Sequence, residues 1–327
     1  MDTDERYIRR CIELAQNGLG NVQPNPMVGA VIVCDEQIIG EGYHQKYGEP
    51  HAEVNAINSV TDKELLHKST IYVSLEPCSH YGKTPPCADK LIEMGFPRVV
   101  IGSTDPNEKV NGKGIAKLRA AGIGVTVGIL KDECDELNKR FFTYHLKRRP
   151  YVILKWAQTA DGFMDIDRTA NPDGKYWITN EKVKVLTHRW RSEEQAILIG
   201  YNTYINDQPQ LTTRLWPGKN PARYIACRNP ETAQPIDGFT FIPEEPAGTL
   251  QRLYDEKIQS VIIEGGRKTL DRYISSGLWD EARVLTGNQT WGAGTKAPRI
   301  TEGMCVEAFE LDGNRVEIRR NTSQPLI

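Results

Sequence analysis

The chain has 327 residues, which is about the length of two domains and long enough to bury a sizeable core. Its 41 Lys and Arg residues and 43 Asp and Glu residues give a net charge of -2, and the composition of 26% charged and 39% hydrophobic residues is ordinary for a globular protein. These values exclude global disorder and disfavour binding of long nucleic acid through net positive charge. Small-molecule substrates are therefore favoured.

The sequence contains no apolar run long enough to span a membrane, and its first residues lack the basic start and apolar stretch of a signal peptide. We therefore expect a cytoplasmic protein without a membrane partner. The seven cysteines form an odd, scattered set, which argues against a disulfide scaffold in a reducing compartment. Only Cys78 and Cys87 are close in sequence, and burial in the core is the expectation for the other five.

The first half of the chain alternates between helical and strand patterns. Apolar residues at helical spacing predict a helix over residues 7–15, and the β-branched run 27–33 predicts a strand that returns through Ile38 and Ile39. Pro50 suits the first position of a helix, so a helix is expected from there. Further strands are predicted at 70–75, 98–102 and 125–127, and further helices at 88–94, 114–121 and 132–145. This alternation predicts a layered α/β domain.

The basic, proline-ended segment 147–150 is the predicted domain boundary, which divides the chain into domains 1–146 and 147–327. The second domain also has an α/β pattern. Its predicted strands are 151–156, 196–200, 223–227 and 259–264, and its predicted helices are 181–190 and 269–275. Segment 229–248, which is rich in Pro, Gly and Glu, is expected to be a surface loop.

The most informative residues are His51 and Glu53, followed by Cys78 and Cys87. One imidazole and two thiolates suit Zn²⁺ and leave its fourth tetrahedral position for water, as a catalytic site requires. Glu53 is then free to move a proton between that water and a departing amine, which is deamination chemistry. Nucleobase deaminases have the pattern H-x-E with P-C-x-x-C, whereas eight residues separate the two cysteines here.

With that longer spacing, His51-Ala-Glu53 and Pro77-Cys-Ser-His-Tyr-Gly-Lys-Thr-Pro-Pro-Cys87 resemble the deaminase half of the bifunctional deaminase-reductases of riboflavin biosynthesis. The resemblance includes Asn25-Pro-Met-Val-Gly29 and extends over nearly the whole chain. It implies a cytidine-deaminase-like domain followed by a dihydrofolate-reductase-like domain. It further implies hydrolytic deamination of 2,5-diamino-6-(5-phosphoribosylamino)pyrimidin-4-one, and then NADPH-dependent reduction of the ribosyl chain to ribityl.

The resemblance also implies which residues of the first domain bind substrate, namely Asn25, His44, Lys83, Asp105 and Asn107. Each has suitable chemistry: Asn25 can pair with a base or a ribose hydroxyl, His44 and Lys83 with a phosphate, and Asp105 with Asn107 can hold the sugar or the ring. Without the resemblance, Lys83 would be interpreted as a solvated loop charge, and the Asp105 segment as an ordinary turn.

Motifs of the second domain are weaker on their own. Gly265-Gly266 between a strand and a helix lets backbone N–H groups approach a phosphate, while no G-x-G-x-x-G follows any strand, which disfavours a Rossmann domain. The resemblance implies that NADPH contacts Ala157, Trp177, Thr203, Asp207, Gly266, Arg267, Lys268 and Thr269. It implies that substrate contacts Arg191, Leu211, Arg214 and Glu264, and arginine suits bidentate binding of a phosphate. Asp207 is the candidate proton donor for the reduction.

The chain departs from the family pattern at three places. Lys175 replaces a polar residue two positions before Trp177, and the loop 165–174 is longer than usual. Val284-Leu-Thr-Gly287 stands where a proline-containing strand is expected, and the last strands of the chain are expected to be abbreviated. Because such domains commonly pair through sheet or helix faces, a homo-oligomer is expected.

Several alternatives remain open at this point. Zinc could be purely structural, with His80 as a fourth ligand, or there could be no metal. The chain could be a deaminase of another base, such as one in transfer RNA, with a binding module as its second half. It could also be a zinc-stabilised partner of flavin enzymes without catalysis. The ordinary net charge and the long loop between the cysteines count against a deaminase of another base. The presence of Glu53 counts against a partner protein without catalysis.

Overall fold

The computed structural model describes residues 2–81, 85–108, 110–168 and 176–323. The chain divides into two compact units, residues 1–147 and residues 148–326. Each unit is built from a sheet with helices packed on it, so the predicted α/β class is confirmed.

The first unit contains five strands and six helices within the described residues. Its strands are β1 (Gly29–Cys34), β2 (Gln37–Tyr43), β3 (Thr70–Leu75), β4 (Arg98–Ser103) and β5 (Gly124–Val127). Its helices are α1 (Thr3–Gln16), α2 (Ala52–Ser59), α3 (Cys87–Glu93), α4 (Lys113–Ala120), α5 (Lys131–Leu137) and α6 (Lys139–Lys147). The single helix predicted over residues 132–145 is wrong, because the chain breaks at Asn138 between α5 and α6.

The sheet of the first unit has the order β2-β1-β3-β4-β5. Strand β1 is antiparallel to both neighbours, whereas β3, β4 and β5 are parallel. One core cluster packs α2, α3 and α4 on one face of the sheet, and a second cluster packs α1 and α5 on the other. The carboxyl end of β3 and the start of α2 and α3 supply the residues of the predicted metal site.

The second unit contains ten strands and four helices within the described residues. Its strands are β6 (Tyr151–Gln158), β7 (Phe163–Asp165), β8 (Ala196–Gly200), β9 (Ala222–Cys227), β10 (Thr240–Pro243), β11 (Ser260–Ile263), β12 (Glu281–Thr286), β13 (Thr295–Lys296), β14 (Met304–Leu311) and β15 (Asn314–Arg320). Its helices are α7 (Glu181–Glu193), α8 (Tyr201–Asp207), α9 (Pro246–Asp255) and α10 (Arg267–Ser276).

The main sheet of the second unit has the order β10-β9-β8-β11-β6-β12-β15-β14. Its strands are parallel from β10 to β12 and antiparallel beyond. Helices α9 and α10 pack on one face and α7 on the other. The buried central strands β8 and β11 are continuous apolar runs, as expected for parallel strands that are covered on both faces.

Two expectations for the second unit are wrong. Segment 229–248 is not only loop, because it contains β10 and the first turn of α9, which begins at a proline. The last strands are not abbreviated, since β14 and β15 have 8 and 7 residues and form a long antiparallel pair. In the described parts of the chain, no helix has the length and apolar character needed to cross a membrane.

Candidate active sites

The structure brings His51, Cys78 and Cys87 together beyond the carboxyl end of β3, the central strand of the first sheet. His51 is the N-cap of α2, Cys78 follows β3 in the loop, and Cys87 is the first residue of α3. The imidazole Nδ1 of His51 lies 3.6 Å from the Cys78 sulfur and 3.3 Å from the Cys87 sulfur. Three potential ligand atoms, which lie within 4.8 Å of one another, therefore converge on one point.

This donor set fits a tetrahedral zinc ion. Zinc bonds of about 2.0–2.3 Å to nitrogen and sulfur place two ligand atoms about 3.5–3.8 Å apart, which is close to the separations between His51 and the two sulfurs. The backbone N–H of Cys87 donates to the Cys78 sulfur at 3.3 Å. A hydrogen bond from the Cys87 thiol, together with the interactions of His51, lowers the pKa of Cys78 to about 4 despite the opposing effect of burial. Cys78 is therefore disposed to be a thiolate, which is the form that binds metal.

Glu53 lies in the first turn of α2 and is 3% exposed. Because His51 stands outside the helix at its N-cap, the two side chains can share one pocket although they are only two residues apart. Burial raises the pKa of Glu53, and the positive charge of His51 opposes that shift. A buried carboxyl beside the three ligand atoms can take up and release a proton.

His44 and Asn25 form a pair beside His51. The Asn25 side-chain amide lies 3.1 Å from His44 Nε2, and His44 Nδ1 lies 3.1 Å from the carbonyl oxygen of Pro50. The rings of His44 and His51 make an edge contact with centroids 5.2 Å apart. Burial lowers the pKa of His44, so the ring is neutral, donates to Pro50 and accepts from Asn25. In this structure both ring nitrogens of His44 are thus used by the protein.

Asp105 and Asn107 lie in the loop after β4, and the backbone N–H of Asn107 donates to the Asp105 carboxylate at 2.8 Å. Burial is the main reason why the pKa of Asp105 is raised to about 6; the hydrogen bond from Asn107 opposes this shift, and the negative charges of Glu76 and Cys78 contribute to it. Asp105 therefore lies within electrostatic range of Cys78. Lys83 lies outside the described residues, and His80 is exposed and is not a member of the group of three ligand atoms.

Two buried side chains that hold this site were not singled out from the sequence. Glu76 accepts hydrogen bonds from the backbone of the Asp105 loop, and Asn138 pairs with both the N–H and the carbonyl oxygen of Met27 at 2.8 Å. Asn138 therefore anchors the segment that carries Asn25. The Glu-Pro-Cys order at residues 76–78 is the signal that could have drawn attention to Glu76.

In the second unit, Glu264 lies at the carboxyl end of β11 and forms ion pairs with two basic side chains. Arg191 makes a two-point contact with it at 3.0 and 2.8 Å, and the ammonium group of Lys155 lies 3.4 Å away. Burial alone would raise the pKa of Glu264, but Arg191 and Lys155 outweigh it and lower the pKa to about 2. The cluster keeps a surplus positive charge, which suits an anionic ligand. Lys155 is a member that the sequence did not single out.

Gly265 and Gly266 follow at the start of α10. A side chain at Gly265 would place its Cβ 2.6 Å from that of Thr269, so the close turn requires glycine. The N–H of Gly266 donates to the Thr203 hydroxyl at 3.0 Å, and α10 has no side-chain hydrogen bond at its N-cap. The remaining N–H groups of the first turn of this 10-residue helix thus offer the kind of site that binds phosphate.

The other predicted residues of the second unit are more dispersed. Asp207 accepts a hydrogen bond from Arg168 at 3.0 Å, so its carboxylate is an acceptor in this structure. Arg214 is exposed, whereas its neighbour Leu211 is buried with a positive φ of 54°. The rest are Ala157 (half-buried in β6), Trp177 (68% exposed), Arg267 (paired with Asp271), Lys268 (exposed) and Thr269 (half-buried). Lys175 lies outside the described residues, as does most of the loop 165–174.

Two family models match the chain. Residues 1–103 match the cytidine and deoxycytidylate deaminase zinc-binding region, and residues 150–322 match the RibD C-terminal domain. The riboflavin biosynthesis protein RibD of Aquifex aeolicus is 38% identical and aligns with 97% of this chain and 96% of its own length. The RibD of Actinobacillus pleuropneumoniae is 47% identical, with 92% and 88% covered.

Two solved structures agree over the full length. A Thermotoga maritima protein described as a diaminohydroxyphosphoribosylaminopyrimidine deaminase/5-amino-6-(5-phosphoribosylamino)uracil reductase superposes with a TM-score of 0.88, at 35% identity, over 98% of this chain and 99% of its own. Acinetobacter baumannii RibD gives a TM-score of 0.85 at 31% identity, with the same coverage. The predicted order of a cytidine-deaminase-like domain and a reductase domain is therefore confirmed. The chain belongs to the RibD family of bifunctional riboflavin biosynthesis deaminase-reductases.

Proposed function

We propose that residues 1–146 deaminate 2,5-diamino-6-(5-phosphoribosylamino)pyrimidin-4-one and that residues 147–327 reduce the product with NADPH. In the first step water replaces an exocyclic amino group of the pyrimidine, and ammonia leaves. In the second step, once the ribose ring has opened to an imine, C1 gains a hydride and the imine nitrogen gains a proton, which gives the ribityl chain. The observation that carries the proposal is the convergence of His51, Cys78 and Cys87 beside the buried carboxyl of Glu53.

In the deaminase site, His51, Cys78 and Cys87 would hold zinc. A zinc ion bound by three protein ligands supplies a water molecule whose pKa is lowered towards about 7. Glu53 takes a proton from the attacking water and delivers it to the leaving amine, a role supported by its burial next to the ligand atoms. A purely structural zinc would leave this buried carboxyl without a function.

The substrate would lie between the loops that carry Asn25 and Asp105. The Asn25 amide, which His44 orients through its Nε2, can pair with the base or the ribose. Asp105 and Asn107 bind the sugar or the ring from the opposite loop. The two hydrogen bonds of His44 to the protein support an orienting role for this ring, and Lys83 remains the predicted contact of the phosphate.

In the reductase site, NADPH supplies the hydride, and its phosphates would bind at the start of α10 next to Gly266 and Thr269. Thr203 fixes this turn through its hydrogen bond to Gly266. Arg191, held in place by Glu264, presents its guanidinium to the substrate phosphate. Lys155 is better placed than Asp207 to deliver the proton, because it is buried in the same cluster while Asp207 is occupied by Arg168.

The test is to incubate the pure, zinc-loaded protein with the diaminopyrimidinone phosphate and to follow ammonia release and NADPH oxidation separately. Both signals are expected, and oxidation is expected only after release. Ammonia release without NADPH oxidation would refute the reductase assignment, and the absence of both would refute the whole proposal. The Glu53→Gln variant, with zinc content measured, is expected to keep the metal and lose deamination. The homo-oligomeric state and the cytoplasmic location stay predictions.

A further inference from the structure

Glu76 is a buried carboxylate of the first unit that the proposed chemistry does not use. It follows β3 directly and precedes Pro77 and Cys78, and only 4% of the residue is exposed. Its own backbone N–H donates to the carbonyl oxygen of Ser103 at the end of β4. The residue therefore stands between the strand that leads to the metal ligand and the strand that leads to the Asp105 loop.

Both carboxylate oxygens of Glu76 accept backbone hydrogen bonds. Oε2 accepts from Asp105 at 3.3 Å and from Gly112 at 2.9 Å, and Oε1 accepts from Gly114 at 2.9 Å and from Ile115 at 3.3 Å. One charged group thus satisfies four N–H groups from two separate segments. Such charge-assisted bonds are stronger than neutral ones, and their loss in a buried site is costly.

Three of these four bonds form an ordinary helix cap contributed from a distant part of the chain. The N-cap of α4 is Gly112, which has no side chain to accept the first N–H groups of the helix. Glu76 accepts them instead, and its negative charge suits the N-terminal end of the helix dipole. A helix cap would need only Gly112, Gly114 and Ile115, so the bond to Asp105 is an additional feature.

That additional bond connects the Asp105 loop to the metal ligand. The Asp105 N–H is fixed by Glu76, while the Asp105 carboxylate accepts the N–H of Asn107. Along the chain, Glu76 is separated from Cys78 only by the rigid Pro77. The position of the Asp105 side chain relative to Cys78 is therefore set through the Glu76 carboxylate.

We propose that Glu76 is a positioning residue of the deaminase site, which holds the Asp105 loop at the distance from Cys78 that the substrate requires. The inference rests on the proposed deaminase function. Glu76 has no contact with the reacting atoms in this account, so it acts on substrate binding through Asp105. The expected signature is a rise in KM that exceeds any fall in kcat.

The test is the Glu76→Gln variant, which has nearly the same shape. Its amide keeps one acceptor oxygen, but its NH₂ group faces two N–H donors, so one pair of bonds is lost. We expect KM for the diaminopyrimidinone phosphate to rise about tenfold, the effect of losing roughly one net hydrogen bond, with a smaller change in kcat. Zinc content, and NADPH oxidation by the second unit when it is supplied directly with 5-amino-6-(5-phosphoribosylamino)uracil, are expected to stay at the wild-type level.

A matched control separates positioning from general weakening of α4. Ile115→Val removes one methyl group from the same end of the helix and keeps all four backbone bonds to Glu76. It is expected to lower the thermal midpoint without raising KM. An equal rise in KM for Ile115→Val and Glu76→Gln would overturn the proposal.

A double variant tests whether Glu76 acts through Asp105. In an Asp105→Asn background, Glu76→Gln is expected to change KM less than twofold, because the partner it positions is already impaired. Independent, multiplying effects on KM would contradict the inference. An inactive wild-type protein would refute the proposed function instead, which keeps the two failures distinct.

Amide hydrogen exchange on the wild-type protein gives a result even where a variant fails to fold. The Asp105 N–H lies in a loop but donates to a buried carboxylate, so we expect it to exchange as slowly as the N–H groups of Gly112 and Gly114. Exchange at the rate of an open loop would show that the bond from Asp105 to Glu76 does not hold the loop.

Discussion

Replacement of Glu264 by Gln removes the negative charge that Arg191 and Lys155 share in the second unit. The side chains of all three residues are at least 86% buried, with exposed fractions of 10%, 11% and 14%. The two cations lower the pKa of Glu264 from 4.5 to about 2, which corresponds to about 3 kcal/mol of stabilisation of its charged form. Breaking a buried ion pair from one side has a similar cost. We therefore expect Glu264→Gln to lower the free energy of unfolding by about 3 kcal/mol at neutral pH.

Tryptophan fluorescence during urea unfolding measures this effect in the second unit alone, because all six tryptophans lie after residue 155. Since the folded pKa of Glu264 is below its ordinary value, its contribution is complete above pH 4.5 and is lost as the pH falls towards 2. The difference between wild type and variant should therefore shrink over this range. A matched control is Glu193→Gln, which breaks a pair with the half-exposed Arg189 and is expected to cost less than about 1 kcal/mol.

Two results would refute this reasoning. One is a loss of stability in Glu264→Gln no larger than in Glu193→Gln, which would mean that the buried cations need no counter-charge. The other is a difference between wild type and Glu264→Gln that is the same in acid as at neutral pH, which would mean that Glu264 does not titrate as its partners require.

Three further predictions concern the metal, a histidine and a close helix contact. Cys87→Ser should reduce bound zinc, measured by elemental analysis, from about one ion per chain to almost none and abolish ammonia release; retained zinc would exclude Cys87 as a ligand. Burial, followed by the positive charge of Arg191, lowers the pKa of His188 to about 4. The contribution of the neutral His188 to the free energy of unfolding should therefore be lost as the pH falls from 6.5 to 4. The His188→Gln variant should flatten this part of the curve of urea midpoint against pH. An unchanged profile would contradict a neutral, buried His188. Gly42→Ala would bring a Cβ within 2.3 Å of the Ala56 nitrogen in α2, which should destabilise the first unit by about 1–3 kcal/mol in circular dichroism while the tryptophan transition stays unchanged. A variant as stable as wild type would show that α2 can move away from β2.

The elements that the sequence predicts well are those whose pattern is local. The β-branched run before Cys34 forms β1, and the apolar run before Gly200 forms β8, because continuous apolar stretches are what buried strands require. Strand β14 is not predicted because it is mostly exposed, and its two charged residues, Glu307 and Glu310, do not alternate with apolar ones. Its pairing with β15 depends on partners that a local pattern does not display.

The sites show the same division. His51, Glu53, Cys78 and Cys87 could be found because residue type and spacing carry their chemistry. Glu76, Asn138 and Lys155 could not, because their importance comes from contacts with segments 29, 111 and 109 residues away along the chain. A buried glutamate or lysine has no local signature in sequence, and only the fold shows what it contacts.

The order of the two reactions on one substrate tests the central claim most directly. Mass spectrometry of the products from the zinc-loaded protein and the diaminopyrimidinone phosphate should show, without NADPH, a single product in which oxygen replaces NH. Addition of NADPH should then convert that product to one with two more hydrogen atoms. A reduced compound in which oxygen has not replaced NH would contradict the account, and so would unchanged substrate under both conditions.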